Sequence, residues 1–377
     1  MAKEALSATE EAVGICKELA DEDFTQHGAK FALMLNNRGA YLADLGQPDL
    51  ALQAIRDAVE VYRSLPTPDE PGIARALTNL SAHLSDRGDI GDAQAAIEEA
   101  MKIRKRLTVR DPSHAPGLTD SLLTLAVMRF RRGNVGGSAR ATKRAVDISR
   151  QMASRNPKTH EPILARALIH YSDDLVSLGM AKPALNVARE AVSVTRRLVR
   201  ENPNLFEPDF ASALSNLAAR LGDNGKSGEA FPVISEAVEI RERLASSNPV
   251  LHEAALGRSL NNLGTTLWSL KRFSDAEDVH RRALRIRRRL AVDNPSLHEA
   301  DVAQSLFNLG QVIECLKRPG EARACFREAA ELYGRLRRDN PAMTSRYLDA
   351  MAPLGQRQLN EDVESICAEL RRNLYKK

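Results

Sequence analysis

The chain has 377 residues, a formal net charge of +4 from 54 basic and 50 acidic side chains, and only 4% aromatic residues. Balanced charge argues against a protein that coats nucleic acid, and the abundance of Ala, Leu, Arg and Glu favours helix over sheet. No apolar window approaches membrane-spanning length and MAKEALSATEEAVG holds no apolar signal core, so a soluble, cytoplasmic protein off the membrane is expected.

Residues 3–19 carry apolar side chains at helical spacing with no comparable helix before them, and read as the second half of a helix pair. That start suggests either an adapted cap of the stack or, as the favoured reading, a fragment of a larger protein, and leaves the half-repeat open to self-association. From residue 30 to 343 the pattern resolves into about seven helix pairs of 42–46 residues. The second helix of each is marked by a central alanine at Ala12, Ala58, Ala100, Ala145, Ala191, Ala237, Ala283 and Ala329. Seven residues earlier stands Ala5, Ala51, Ala93, Ser138, Ala184, Ala230, Ala276 and Ala322. The first helix is marked by Leu35, Leu77, Leu122, Leu168, Leu214, Leu260 and Leu306, followed four residues on by Gly39, Ser81, Ala126, Ser172, Ala218, Gly264 and Gly310. A small side chain at a fixed helical position predicts close approach of the partner helix.

Gly46, Gly88, Gly133, Gly179 and Gly225 suit the turn between the two helices; Lys271 and Lys317 replace them in the last two pairs and are expected to alter it. Asp111-Pro112 and the Asn-Pro pairs at 156–157, 202–203, 248–249, 294–295 and 340–341 end each unit, since proline lacks a donor and pushes its predecessor out of the helical region. Residues 344–377 read as two divergent capping helices, so the whole chain, 1–377, is read as one solenoid. Arg129 occupies an apolar position in the third pair and predicts poor local packing.

These columns, with LNNLG and Ala-x6-Ala, resemble the tetratricopeptide repeat in the extended form of kinesin light chains. The resemblance implies an all-α, right-handed α-solenoid of tandem helix-turn-helix units, with first helices lining a concave face. It implies a non-catalytic scaffold for a protein or peptide, without cofactor. The alternative is a sensor or autoinhibitory arm of a larger signalling or defence protein, or a peptide-responsive regulator. By the same resemblance, Asn37, Asn79, Asn216, Asn262 and Asn308, with His170 in the same column, match asparagines that contact cargo peptides. A competing reading has them bridge adjacent helices. One turn earlier, Arg75, Arg166 and Arg258 either receive acidic groups or a terminal carboxylate, or are solvated with no steady partner.

Other motifs point away from chemistry. The basic runs Arg104-Lys105-Arg106, Arg196-Arg197, Arg287-Arg288-Arg289 and Arg337-Arg338 close second helices, read as solvated helix ends, and lack interleaved aromatics for nucleic acid. His160-Glu161, His252-Glu253 and His298-Glu299 lack the second histidine of a zinc protease motif and recur at one position in the linkers. No phosphate-binding loop or nucleophile motif is present. Cys16, Cys315, Cys325 and Cys367 show no C-x-x-C or framework spacing and read as reduced, partly buried thiols.

Overall fold

The computed structural model describes residues 2–339. They form fifteen α-helices, with no strand among them. A leading helix α1 (Ala2–Glu22) precedes seven pairs: α2 (Phe24–Asp44) with α3 (Pro48–Ser64); α4 (Glu70–Arg87) with α5 (Ile90–Arg110); α6 (Ala115–Arg131) with α7 (Val135–Arg155); α8 (Pro157–Ser177) with α9 (Ala181–Glu201). Then come α10 (Pro203–Asp223) with α11 (Ser227–Ser247); α12 (Pro249–Ser269) with α13 (Phe273–Asp293); and α14 (Pro295–Cys315) with α15 (Pro319–Asp339). The fold is an all-α repeat solenoid. It divides into two compact units, residues 1–174 and 175–377. The expected capping helices, Cys367 and Asn340-Pro341 lie outside the described residues.

The alanine column makes the core. Ala58, Ala100, Ala145, Ala191, Ala237, Ala283 and Ala329 are all at 0% exposure, and the leucines of the first helices are buried against them. Opposite stands the small-residue column, which the facing second helix keeps small. A Cβ on Gly39 would sit 2.4 Å from Ile55, and on Gly264 or Gly310 it would sit 2.6 Å from the rings of His280 and Phe326. Close packing leaves no room for both members to be large.

Four expectations are corrected. Lys271 and Lys317 do not alter the turn: their φ values of 61° and 59° match the left-handed glycines at 72° to 93°. The helix ends demand that conformation, and lysine adopts it at a steric cost. The Asn-Pro pairs start the next helix as well as ending the last one. Asn202 donates its N–H to Leu198 and accepts from the N–H of Leu205 through its side chain, and Asn248 does the same with Leu244 and Leu251. Proline then occupies the first helical position, where its missing N–H costs nothing. The His-Glu dipeptides therefore lie inside first helices, not in linkers. Arg129 packs productively, donating to the Gly137 carbonyl at 3.2 Å.

Candidate functional site: the first-helix face

Asn37, Asn79, His170, Asn216, Asn262 and Asn308 all lie half-buried on first helices, and Arg75, Arg166 and Arg258 lie exposed one turn earlier. Their hydrogen bonding separates them. Asn79 on α4 donates to the side-chain carbonyl of Asn36 on α2 at 3.1 Å, and Asn308 on α14 donates to Asn261 on α12 at 3.1 Å. Asn36 and Asn261 are buried, at 3% and 5% exposure. Two amides of the column thus bridge successive first helices. Hydroxyl pairs do the same work elsewhere, Thr78 with Ser121 at 2.9 Å and Ser215 with Ser259 at 3.0 Å.

The doubled asparagines explain each other. In Asn36-Asn37 and Asn261-Asn262 the first member is the buried acceptor. The second turns outward, and among the described residues the amides of Asn37 and Asn262 make no hydrogen bond. The arginines divide likewise. Arg75 donates to the buried Tyr62 hydroxyl at 2.9 Å, which lies beside Gly72 where α3 and α4 meet. Arg166 pairs with Asp120 on α6. Arg258 makes no ion pair among the described residues. Burial holds His170 below the ordinary histidine range, so at neutral pH its ring is an uncharged donor and acceptor.

Two buried arginines add charge to the second unit, Arg241, which the sequence pattern did not single out, and Arg287. Arg241, at 6% exposure, donates to the Pro208 carbonyl at 2.7 Å and to Ser212 at 2.5 Å. Burial, then the nearby Arg258, brings its pKa down to about 10. Arg287, at 3% exposure, donates to the Asp301 carbonyl at 2.9 Å and Ser305 at 2.7 Å. Arg287 corrects the reading of its cluster as a wholly solvated helix end, as does Arg104, half-buried against Gly117. Each stands four residues after the central alanine, on the face turned toward a first helix. The spacing signal was there; the run of charges hid it.

Several outward arginines of the second helices are neutralised by glutamates of the adjoining first helices. Arg106 pairs with Glu70, Arg243 with Glu207, Arg289 with Glu253 and Arg335 with Glu299. The glutamates of two His-Glu dipeptides are therefore ion-pair partners, and no cluster of metal-ligating side chains occurs among the described residues. The side chains of Arg337-Arg338 lie outside those described. Cys16 is buried, Cys325 half-buried and Cys315 exposed, all with free thiols. No described helix is long and apolar enough to cross a membrane.

Models of the tetratricopeptide repeat match residues 30–106, 210–249 and 256–295. Those stretches of the chain are tetratricopeptide repeats. Its helices are mostly of 21 residues. A model of anaphase-promoting complex subunit 5 matches residues 1–39. Among solved structures, the repeat protein is similar to BtubC (BKLC) from P. vanneervenii, with 23% identity, a TM-score of 0.50, and coverage of 63% of this chain and 88% of that one. It is similar to the apo form of RapI, with 15% identity, a TM-score of 0.54, and coverage of 92% and 98%. It is also similar to the STAND protein with a tetratricopeptide repeat sensor PH0952 from Pyrococcus horikoshii, with 11% identity and a TM-score of 0.55. There it covers 93% of this chain and 49% of that one, so it spans about half of the STAND protein. These likenesses speak to the fold. No curated protein sequence matches the chain.

Proposed function

We propose that this repeat scaffold is a non-catalytic binder of a protein or peptide segment, held along the face of its first helices. The carrying observation is the unspent hydrogen-bonding capacity of α12. Asn262 and Arg258 are one turn apart, one half-buried and one exposed, and neither is engaged by a neighbour, while the asparagine next to Asn262 is consumed by the fold. An amide offers both donors and an acceptor to a peptide backbone, and a guanidinium offers a fork for a carboxylate. The buried Arg241 adds a second positive charge near Arg258, which favours acidic segments. Asn37 on α2 has the same character in the first unit. A sensor role would draw on the same face.

The test is a peptide-display selection against the wild-type protein, with the selected peptides titrated against variants. Arg258→Ala with Asn262→Ala should weaken them at least tenfold and leave the melting temperature unchanged. Asn308→Ala should destabilise the fold with a smaller effect on binding per folded molecule. Peptides that bind the double variant as tightly as wild type would place recognition away from this face.

A further inference from the structure

The outer side of α9 carries a stripe unlike that of the other second helices. Positions 189, 193, 196 and 200, spaced 4, 3 and 4, fall on one helical face and read Arg, Ser, Arg, Arg. The second position of this stripe is acidic in α3, α7, α11 and α15, at Glu60, Asp147, Glu239 and Glu331; in α9 it is Ser193. In α13 the stripe is also basic, but Arg281 and Arg288 are met by Glu321 and Glu328 of α15. The third position of one stripe normally pairs with the neighbouring second helix. Arg63 meets Glu99, Arg288 meets Glu328, and the reversed pair Glu242 meets Arg282. Arg196 breaks the rule: its guanidinium lies over the Phe210 ring, 5.6 Å from the centroid, instead of on Glu236.

The result is a surface cleft of about 390 Å³, with Val192 and Leu217 as its apolar floor and Arg189, Arg196, Arg197 and Arg200 around it. Arg189 lies 3.8 Å from Glu229, which is itself held at 2.8 Å by Lys226. Among the described residues Arg196 and Arg200 make no ion pair. A helix end explains a cation at Arg200 in the last turn, but not Arg189 and Arg196 further back.

We infer that this cleft is an anion site for a small polyphosphate, separate from the first-helix face. Three guanidiniums on one stripe outmatch a single carboxylate and suit several phosphoryl oxygens, which planar forks bind bidentately. Stacking on Phe210 holds Arg196 in place and costs little reorganisation on binding. The same stacking covers the aromatic face a nucleobase would use, so the phosphoryl group alone is recognised.

Calorimetric titration of the whole chain with inorganic tripolyphosphate at physiological ionic strength tests this. Wild type should bind saturably with one equivalent. Arg196→Gln and Arg200→Gln should each weaken binding at least fivefold and together abolish it, with circular dichroism unchanged. Arg63→Gln, which removes a paired arginine from another stripe, should leave it within twofold. ATP should bind no more tightly than tripolyphosphate. The inference is overturned if wild type does not saturate, if Arg63→Gln weakens binding as much as Arg200→Gln, or if ATP binds more tightly than tripolyphosphate.

Discussion

At the scale of the residue, three positions accept a cost for the sake of the repeat. Lys271 and Lys317 hold left-handed backbone that five other turns give to glycine. A side chain there costs about 1 kcal/mol. Lys271→Gly and Lys317→Gly should each raise stability by about that amount in urea unfolding, with an unchanged denaturant slope. His280 is the other case. It is at 1% exposure, packed on Gly264, and burial, then the nearby Arg287, lowers its pKa to about 4. The folded state takes up this proton only near pH 4, whereas the unfolded chain takes it up near pH 6.5. This group's penalty is absent above pH 6.5 and grows as pH falls towards 4, reaching about 3 kcal/mol. Asp120 and Asp174, raised by burial, titrate in the opposite sense, so the comparison must be with a variant. His280→Phe, which copies the Phe326 and Gly310 pair, should be less sensitive to acid than wild type between pH 6.5 and 4. Equal acid sensitivity of the two would show that the ring is hydrated in solution.

At the scale of the element, successive units are joined by polar pairs of unequal worth. The bridge from Asn308 to Asn261 is shielded, and Asn308→Ala would leave a buried carbonyl without its donor. A loss of about 1–3 kcal/mol is expected in thermal or urea unfolding. The pairs on the outer side are exposed and contribute little singly. Glu242 and Arg282 reverse the polarity of Arg63 and Glu99 across the same junction. Glu242→Arg should cost less than about 1 kcal/mol, and Glu242→Arg with Arg282→Glu should recover most of it, because the junction requires opposite charges in either order. Much of this layer was legible in the sequence. The alanine and leucine columns, the small-residue column and the turn glycines repeat because each meets the same neighbour in every unit. The asparagine column was legible as a pattern but not as a set of roles. Asn79 and Asn37 share a register position, yet one reaches a buried acceptor and the other has none. That difference lies in the residue before each on a neighbouring helix. The helix starts were missed because proline marks a stop in sequence, while Asn202 and Asn248 each serve two helices at once.

At the scale of the whole molecule, a residue's column does not fix its burial; its place in the stack does. Ile15 and Ile103 occupy the same position, three after the central alanine. Ile103 is at 9% exposure and Ile15 at 51%. Ala12 departs in the same way, half-buried where seven other alanines are fully buried. The cause is a missing neighbour: α5 packs between two first helices, whereas among the described residues α1 has one, α2. Apolar area left in water contributes nothing, and burying it contributes about 25 cal/mol per Å². Ile15→Lys should therefore change stability by no more than about 0.5 kcal/mol. Ile103→Lys, which forces an ammonium group into the packed interior or distorts the helix pair to free it, should cost about 3 kcal/mol. Urea unfolding of the two variants checks both values. Comparable losses would mean that the α1 face is covered in solution, and the concentration dependence of the Ile15→Lys effect would show whether a second copy covers it.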